Sequence, residues 1–386
     1  MTRMASSEMS RNNQETQLEN SASLNRRRTG IIRKALHPIV ACAALPCLLS
    51  LVVYYGFGSN YTGGVFHKAG FLSQYEHGIY KYRVLGRILL LGTHRFMTSE
   101  TLPARVARRL FANLPASDRA MDNQADPTFY AAYFVQNTFF LIMCSLILYM
   151  LLIPYNPEEL ASSSGPYMVG VLLIALSQYV VCPYDNLSYF LFLLSVLLIV
   201  RPFSLSFVLL SLVLAVSTLA RESSALTLPF YFAFHFRQGT KLNKKDLSEL
   251  LFLGGTFLAT YALLRVFLGS GDHPLYEDVR LVHNFRDLWG VSGILLLPVV
   301  SYLLCTGSRN KKRCITFLLA SSPYVLGMLI VGRTWEARLW VPIWLGLLIL
   351  TRDIPLSAPR RSQDTGALWP TARRNRMVGF AESDER

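Results

Sequence analysis

The runs FLLASSPYVLGMLIV (317–331), GRTWEARLW (332–340) and VPIWLGLLIL (341–350) follow one another without interruption. The first and third are almost wholly apolar. The nine residues between them carry Arg333, Glu336 and Arg338, which leaves little room for an ordinary solvated loop. Apolar blocks of roughly 17–25 residues match the ~30 Å hydrocarbon core of a bilayer, and such blocks recur along the chain. The runs 37–56, 128–153, 166–182, 186–200, 203–220, 224–236, 248–268, 286–305, 314–331 and 339–351 are candidate spans. Those at 186–200, 224–236 and 339–351 are short and read as broken or partly inserted helices.

Composition agrees with this reading. Of 386 residues, 52% are hydrophobic and only 16% charged, against about a quarter charged in soluble domains. The expected fold is an all-α polytopic membrane protein with about ten transmembrane helices. Its net charge of +14 lies mostly in tails and connections. There it sets orientation and attracts anionic lipid headgroups, so membrane lipids are expected partners and nucleic acid is not. The six cysteines are scattered, mostly in apolar runs, without metal-ligand spacing, and read as small buried hydrophobes.

The chain divides into a polar basic tail (1–35), a multi-span domain (36–351) and a second basic tail (352–386). The first apolar run lacks a clean cleavage site and reads as an uncleaved span. Placing RRRTGIIRK (26–34) in the cytoplasm and counting spans forward puts FRQGTKLNKKD (236–246), TGSRNKKRC (306–314) and the C-terminal tail on that same side, as the positive-inside rule asks. Both termini are therefore expected in the cytoplasm, with the chain in the inner (cell) membrane.

The connection 57–126 falls outside by this count despite its arginines; loops of that length are largely exempt from the rule. Within it, YKYRVLGRILLLGTHRFM (80–97) reads as an amphipathic interfacial helix, Arg83 and Arg87 on one face and outward. LPARVARRLFANL (102–114) repeats the character. These arginines either anchor the loop to headgroups or hold the phosphate of a lipid-linked substrate, for which the planar guanidinium fork is suited.

Asp185, Arg221, Glu222, Arg333, Glu336 and Arg338 all fall at the outer ends of the spans, and Glu76, Arg83 and Arg87 begin on that side. Ionisable groups at membrane depth are costly and tend to face a cavity in pairs. An outward-opening cleft lined by carboxylates and arginines is the economical expectation. No GxxxxGK[ST], HExxH or GxSxG signature is present.

YKYRVLGR (80–87), LARESSALTLPFYF (219–232) and WEARLWVPIWLGLLIL (335–350) together resemble the bacterial GT-C-type integral-membrane glycosyltransferases in layout. The resemblance implies transfer of a sugar from a polyprenyl-phosphate donor to an envelope acceptor on the non-cytoplasmic face, as in polysaccharide biosynthesis. It implies an acidic base in the first outer loop, where Glu76 is the one acid available before the amphipathic helix. Glu76 or Asp185 is the candidate catalytic base. Arg83, Arg87, Arg221 and Arg338 are candidate phosphate clamps, and Glu222 and Glu336 would orient them. No cofactor follows from the residues, although the class leaves room for a divalent metal. The competing readings are an envelope polysaccharide polymerase or ligase, and a transporter of a lipid-linked substrate.

Overall fold

The computed structural model describes residues 38–56, 66–75, 78–99, 101, 105, 109, 127–153, 160–235, 243–269, 280–306, 308 and 310–352. Glu76 and most of 102–114 lie outside them, as do both tails apart from Arg352. All described residues belong to one compact unit, Met1–Ile354. Most of them are helical, with no strand among them.

A π-helical turn, Val40–Ala44, leads into α1 (Leu45–Gly56). The short α2 (Lys68–Gln74) and a 3₁₀ turn, Gly78–Tyr82, precede α3 (Val84–Thr98). Then come α4 (Pro127–Leu152), α5 (Leu160–Ser177), α6 (Asp185–Val200) and α7 (Ser206–Ala220). A second 3₁₀ turn, Glu222–Leu226, runs into α8 (Thr227–His235). The remainder is α9 (Lys244–Leu268), α10 (Leu281–Arg286), α11 (Leu288–Cys305), α12 (Lys311–Ala320), α13 (Ser322–Val331) and α14 (Val341–Leu350).

Each apolar run becomes a helix, but ten spans do not follow. Three helices, at Thr128–Leu152, Lys244–Leu268 and Leu288–Cys305, are long and apolar enough to cross a bilayer; α12 and α13 make a fourth if counted as one span bent by 47°. The bend falls at Ser321, just ahead of Pro323 in the first turn of α13, where proline is accommodated. At 1.5 Å per residue, the 9 residues of α8 and the 10 of α14 reach only about 15 Å, half the hydrocarbon core.

Lipid is the natural solvent for the long helices. Only 6% of the apolar stretch of α9 is buried. It turns Leu251, Phe252, Leu258, Leu263, Val266 and Phe267 outward, an apolar surface far larger than a soluble monomer leaves uncovered. These helices mark a membrane protein. By contrast, α14 is buried at every position, a helix apolar on all sides enclosed by α5, α6, α11 and α12.

The segment before α3 is held by aromatic packing. Phe66 and Phe71 meet Tyr130, Phe129 and Tyr133 of α4 at centroid separations of 5.0–5.9 Å, mostly edge to face. The α3 helix also packs on the bundle: Leu90 and Met97 are buried, and Leu85 and Leu89 lie against Phe140, Leu187, Leu191 and Ala220. The expected helix with basic residues outward is therefore corrected. Arg83 sits in the break before α3 with its side chain buried, because Glu222 waits on the bundle side to receive it. Gly86 permits the close approach: a Cβ there would lie 2.9 Å from Tyr184 Cβ.

Candidate functional site

The stretch 333–340 is built as an alternation. Arg333, Trp335 and Ala337 face a cavity, while Thr334, Glu336 and Arg338 are buried behind them. The two faces do different chemistry.

Behind the wall lies a charged cluster. Asp185 opens α6 with 0% exposure and does not cap it. Its Oδ1 accepts from Arg221 Nη1 and its Oδ2 from Arg338 Nη1 at 3.0 Å. Arg338 donates its Nε and Nη2 to Glu336 Oε2 at 2.8 and 2.6 Å, and also bonds the Cys182 sulfur. Tyr184 carries the network outward, its ring 5.9 Å from Arg221 and 4.5 Å from Arg83, both within cation–π range. Arg83 reaches Glu222 at 3.3 Å and lies over Tyr80 as well. Three guanidiniums thus meet three carboxylates. Residues that the sequence places at one end of separate spans are in contact here.

Glu222 stands at the rim, its side chain 27% exposed. Burial pushes its carboxyl up, but the Arg83 guanidinium outweighs this and holds it below the usual glutamate range. A carboxylate so depressed stabilises the fold above its unfolded pKa and loses that contribution as pH falls through the lowered value. Glu222→Gln is expected to flatten this acid limb by about 1 kcal/mol or less, read as thermal midpoint against pH. An identical acid limb in the variant would show that the pair contributes nothing.

The arrangement narrows what each candidate residue can do. Both Asp185 oxygens are occupied by guanidiniums, which favour its ionised form and leave little capacity to take a proton. Arg83, Arg221 and Arg338 are each held by a carboxylate, so none is a free phosphate clamp; Glu222 and Glu336 are the partners that hold Arg83 and Arg338. Arg87 lies over the Tyr75 ring at 5.7 Å, away from the cavity.

On the near side of the wall is a cavity of about 970 Å³, lined by Tyr179, Arg280, His283, Asp287, Trp289, Ser292, Gly293, Leu296, Arg333, Trp335 and Ala337. Apart from Arg333, none of its polar residues is singled out by the sequence. Arg280, His283 and Asp287 come from the connection 269–287. The wall is pinned from several directions. Thr334 Oγ1 donates to the Gly290 carbonyl at 2.8 Å, and Trp340 Nε1 donates to the Thr334 carbonyl at 3.0 Å. Asn284 Nδ2 donates to the Leu329 and Gly332 carbonyls, and the hydroxyls of Tyr179, Tyr189 and Tyr324 donate to the carbonyls of Trp335, Arg338 and Leu339. A polar side chain inside an apolar run, such as Tyr189, is the signal that could have found part of these supports.

Among the described residues, Arg280 and Arg333 make no side-chain ion pair, and Asp287 is the one carboxylate lining the cavity. Among the described lining residues, two guanidiniums face one carboxylate. That favours an anion, while Trp289, Trp335 and Tyr179 offer faces for an apolar or sugar surface. Among the described residues, no group of His, Cys, Asp and Glu is arranged to hold a metal.

No family model, curated protein or solved structure matches the chain.

Proposed function

We propose that the chain is a membrane glycosyltransferase that moves a sugar from a polyprenyl-phosphate donor to an envelope acceptor. The observation that carries this reading is the cavity. Two guanidiniums without carboxylate partners among the described residues and three aromatic side chains share one open space beside a rigid wall. Phosphate matches the planar fork of arginine, and the faces of tryptophan and tyrosine suit a sugar ring. The buried cluster then serves as foundation: Asp185, Arg221, Arg338 and Glu336 hold the strip that presents Arg333 and Trp335. In this reading the phosphate grip passes from the arginines of the cluster to Arg280 and Arg333. The cavity end is the non-cytoplasmic one, and both termini are cytoplasmic, as the distribution of basic connections suggests.

The test is a strain lacking the chain, complemented with wild type, Arg333→Ala or Trp335→Ala at matched protein levels. Both variants are expected to lose one surface glycan modification while its polyprenyl-linked donor accumulates. Unchanged glycan and donor pools in both would overturn the reading.

A further inference from the structure

Asp287 ends the turn after α10 and opens α11, its backbone N–H bonded to the His283 carbonyl at 3.0 Å. Its side chain accepts from the Trp289 N–H at 3.4 Å, through Oδ1. That bond is a long one, and a helix cap uses one oxygen only. The second oxygen has no partner among the described residues, and the side chain lines the cavity with Trp289, Arg280 and Arg333. It shares the cavity with Arg280 and Arg333, which make no ion pair among the described residues, while Asp185 is enclosed by arginines on both oxygens.

We infer that Asp287 is the general base of the transfer, taking the proton of the acceptor hydroxyl inside the cavity; this rests on the transferase reading above. The acceptor oxygen forms its bond to the anomeric carbon as the bond from that carbon to the phosphate oxygen breaks. The electron pair of the broken bond leaves with the polyprenyl phosphate, whose added negative charge Arg280 and Arg333 receive. The hydroxyl proton passes to the free oxygen of Asp287 and from there to water. The acceptor is thus a hydroxyl-bearing molecule small enough, or narrow enough at its reacting end, to enter a space of about 970 Å³ beside the donor.

Asp287→Asn separates this role from capping, because asparagine caps a helix as well as aspartate does but cannot accept the proton. The full-length protein in nanodiscs is titrated with polyprenyl phosphate and followed by tryptophan fluorescence, since Trp289 and Trp335 both line the cavity. Glycan and donor pools are measured in parallel in the complemented deletion strain. The expected result for Asp287→Asn is polyprenyl phosphate binding at least as tight as wild type, since a negative charge leaves the cavity, and a wild-type thermal midpoint, with transfer slowed by about 10²–10⁴-fold and the donor accumulating. Asp287→Ser, which also keeps a cap, is expected to behave alike, and Asp287→Glu to recover part of the rate. Wild-type transfer in the Asn and Ser variants with binding intact would overturn the base assignment and leave the transferase reading standing. A wild-type protein that neither binds polyprenyl phosphate nor alters any glycan would remove both.

Discussion

Asp185→Ala is expected to unfold the protein or strip it from the membrane before any question of catalysis arises. The carboxylate is fully buried and holds Arg221 and Arg338 at once. Removing it leaves two guanidiniums in a dry interior with Glu336 alone to answer them, and breaking a buried pair in this way costs about 3–5 kcal/mol. The loss is a penalty of unpaired charge rather than the worth of the bonds themselves, since a buried network replaced entirely by apolar groups can be neutral. Two measurements check it: abundance in the membrane, and the thermal midpoint of the purified protein. Asp185→Asn is expected to fall between, because an amide still accepts from one arginine but carries no charge. If Asp185→Ala kept wild-type stability and lost only activity, the residue would return as a candidate catalytic base and the cluster would no longer be the support of the cavity wall.

That outcome bears on what the sequence makes legible. Each apolar run is helical, although the run 314–331 breaks into α12 and α13 at Ser321. Reading the charges at one end of the chain's apolar runs also grouped Asp185, Arg221, Glu222, Glu336 and Arg338, which meet in one cluster with Arg83, whereas Arg333 turns to the cavity. Span length was harder to read. The runs around α8 and α14 are as apolar as a spanning helix, yet α14 is surrounded by protein rather than lipid, and hydropathy alone does not distinguish the two surroundings. The burial of Arg83 was hidden for a related reason. Helical spacing pairs it with Arg87, but the backbone breaks at Arg83, and its partner Glu222 lies 139 residues away. The cavity was least visible. In GRTWEARLW the two faces alternate with a period of two over a few residues, too short to stand out beside helical runs. Asp287, Arg280 and His283 sit in a connection whose polar composition is equally that of a solvated loop. Only the fold of α10 against the start of α11 and the end of α13 shows that they share a space with Arg333.

Gly293→Ala is expected to damage the cavity wall from the helix side. A Cβ at Gly293 would run into the Thr334 carbonyl and the Trp335 amide, backbone atoms that cannot rotate away as a side chain does. Nor can the strip yield easily, since Thr334 is tied by its hydroxyl to Gly290 and by its carbonyl to Trp340. The α11 helix must therefore shift outward, carrying Trp289 and Leu296 with it. Overpacking of this kind costs about 1–3 kcal/mol, and the displaced wall is expected to weaken polyprenyl phosphate binding even in protein that stays folded. Gly327→Ala on α13 is the matched control, because a Cβ there meets nothing within 4 Å. Alanine also improves helix propensity over glycine by about 1 kcal/mol, so this variant is expected to match or exceed wild type. The two variants add the same methyl group to the apolar helices α11 and α13, which α12 separates along the chain. A thermal midpoint and ligand affinity for Gly293→Ala equal to those of Gly327→Ala would mean that the strip can move freely. The pinned wall, and the argument that the buried charges exist to hold it, would then have to be given up.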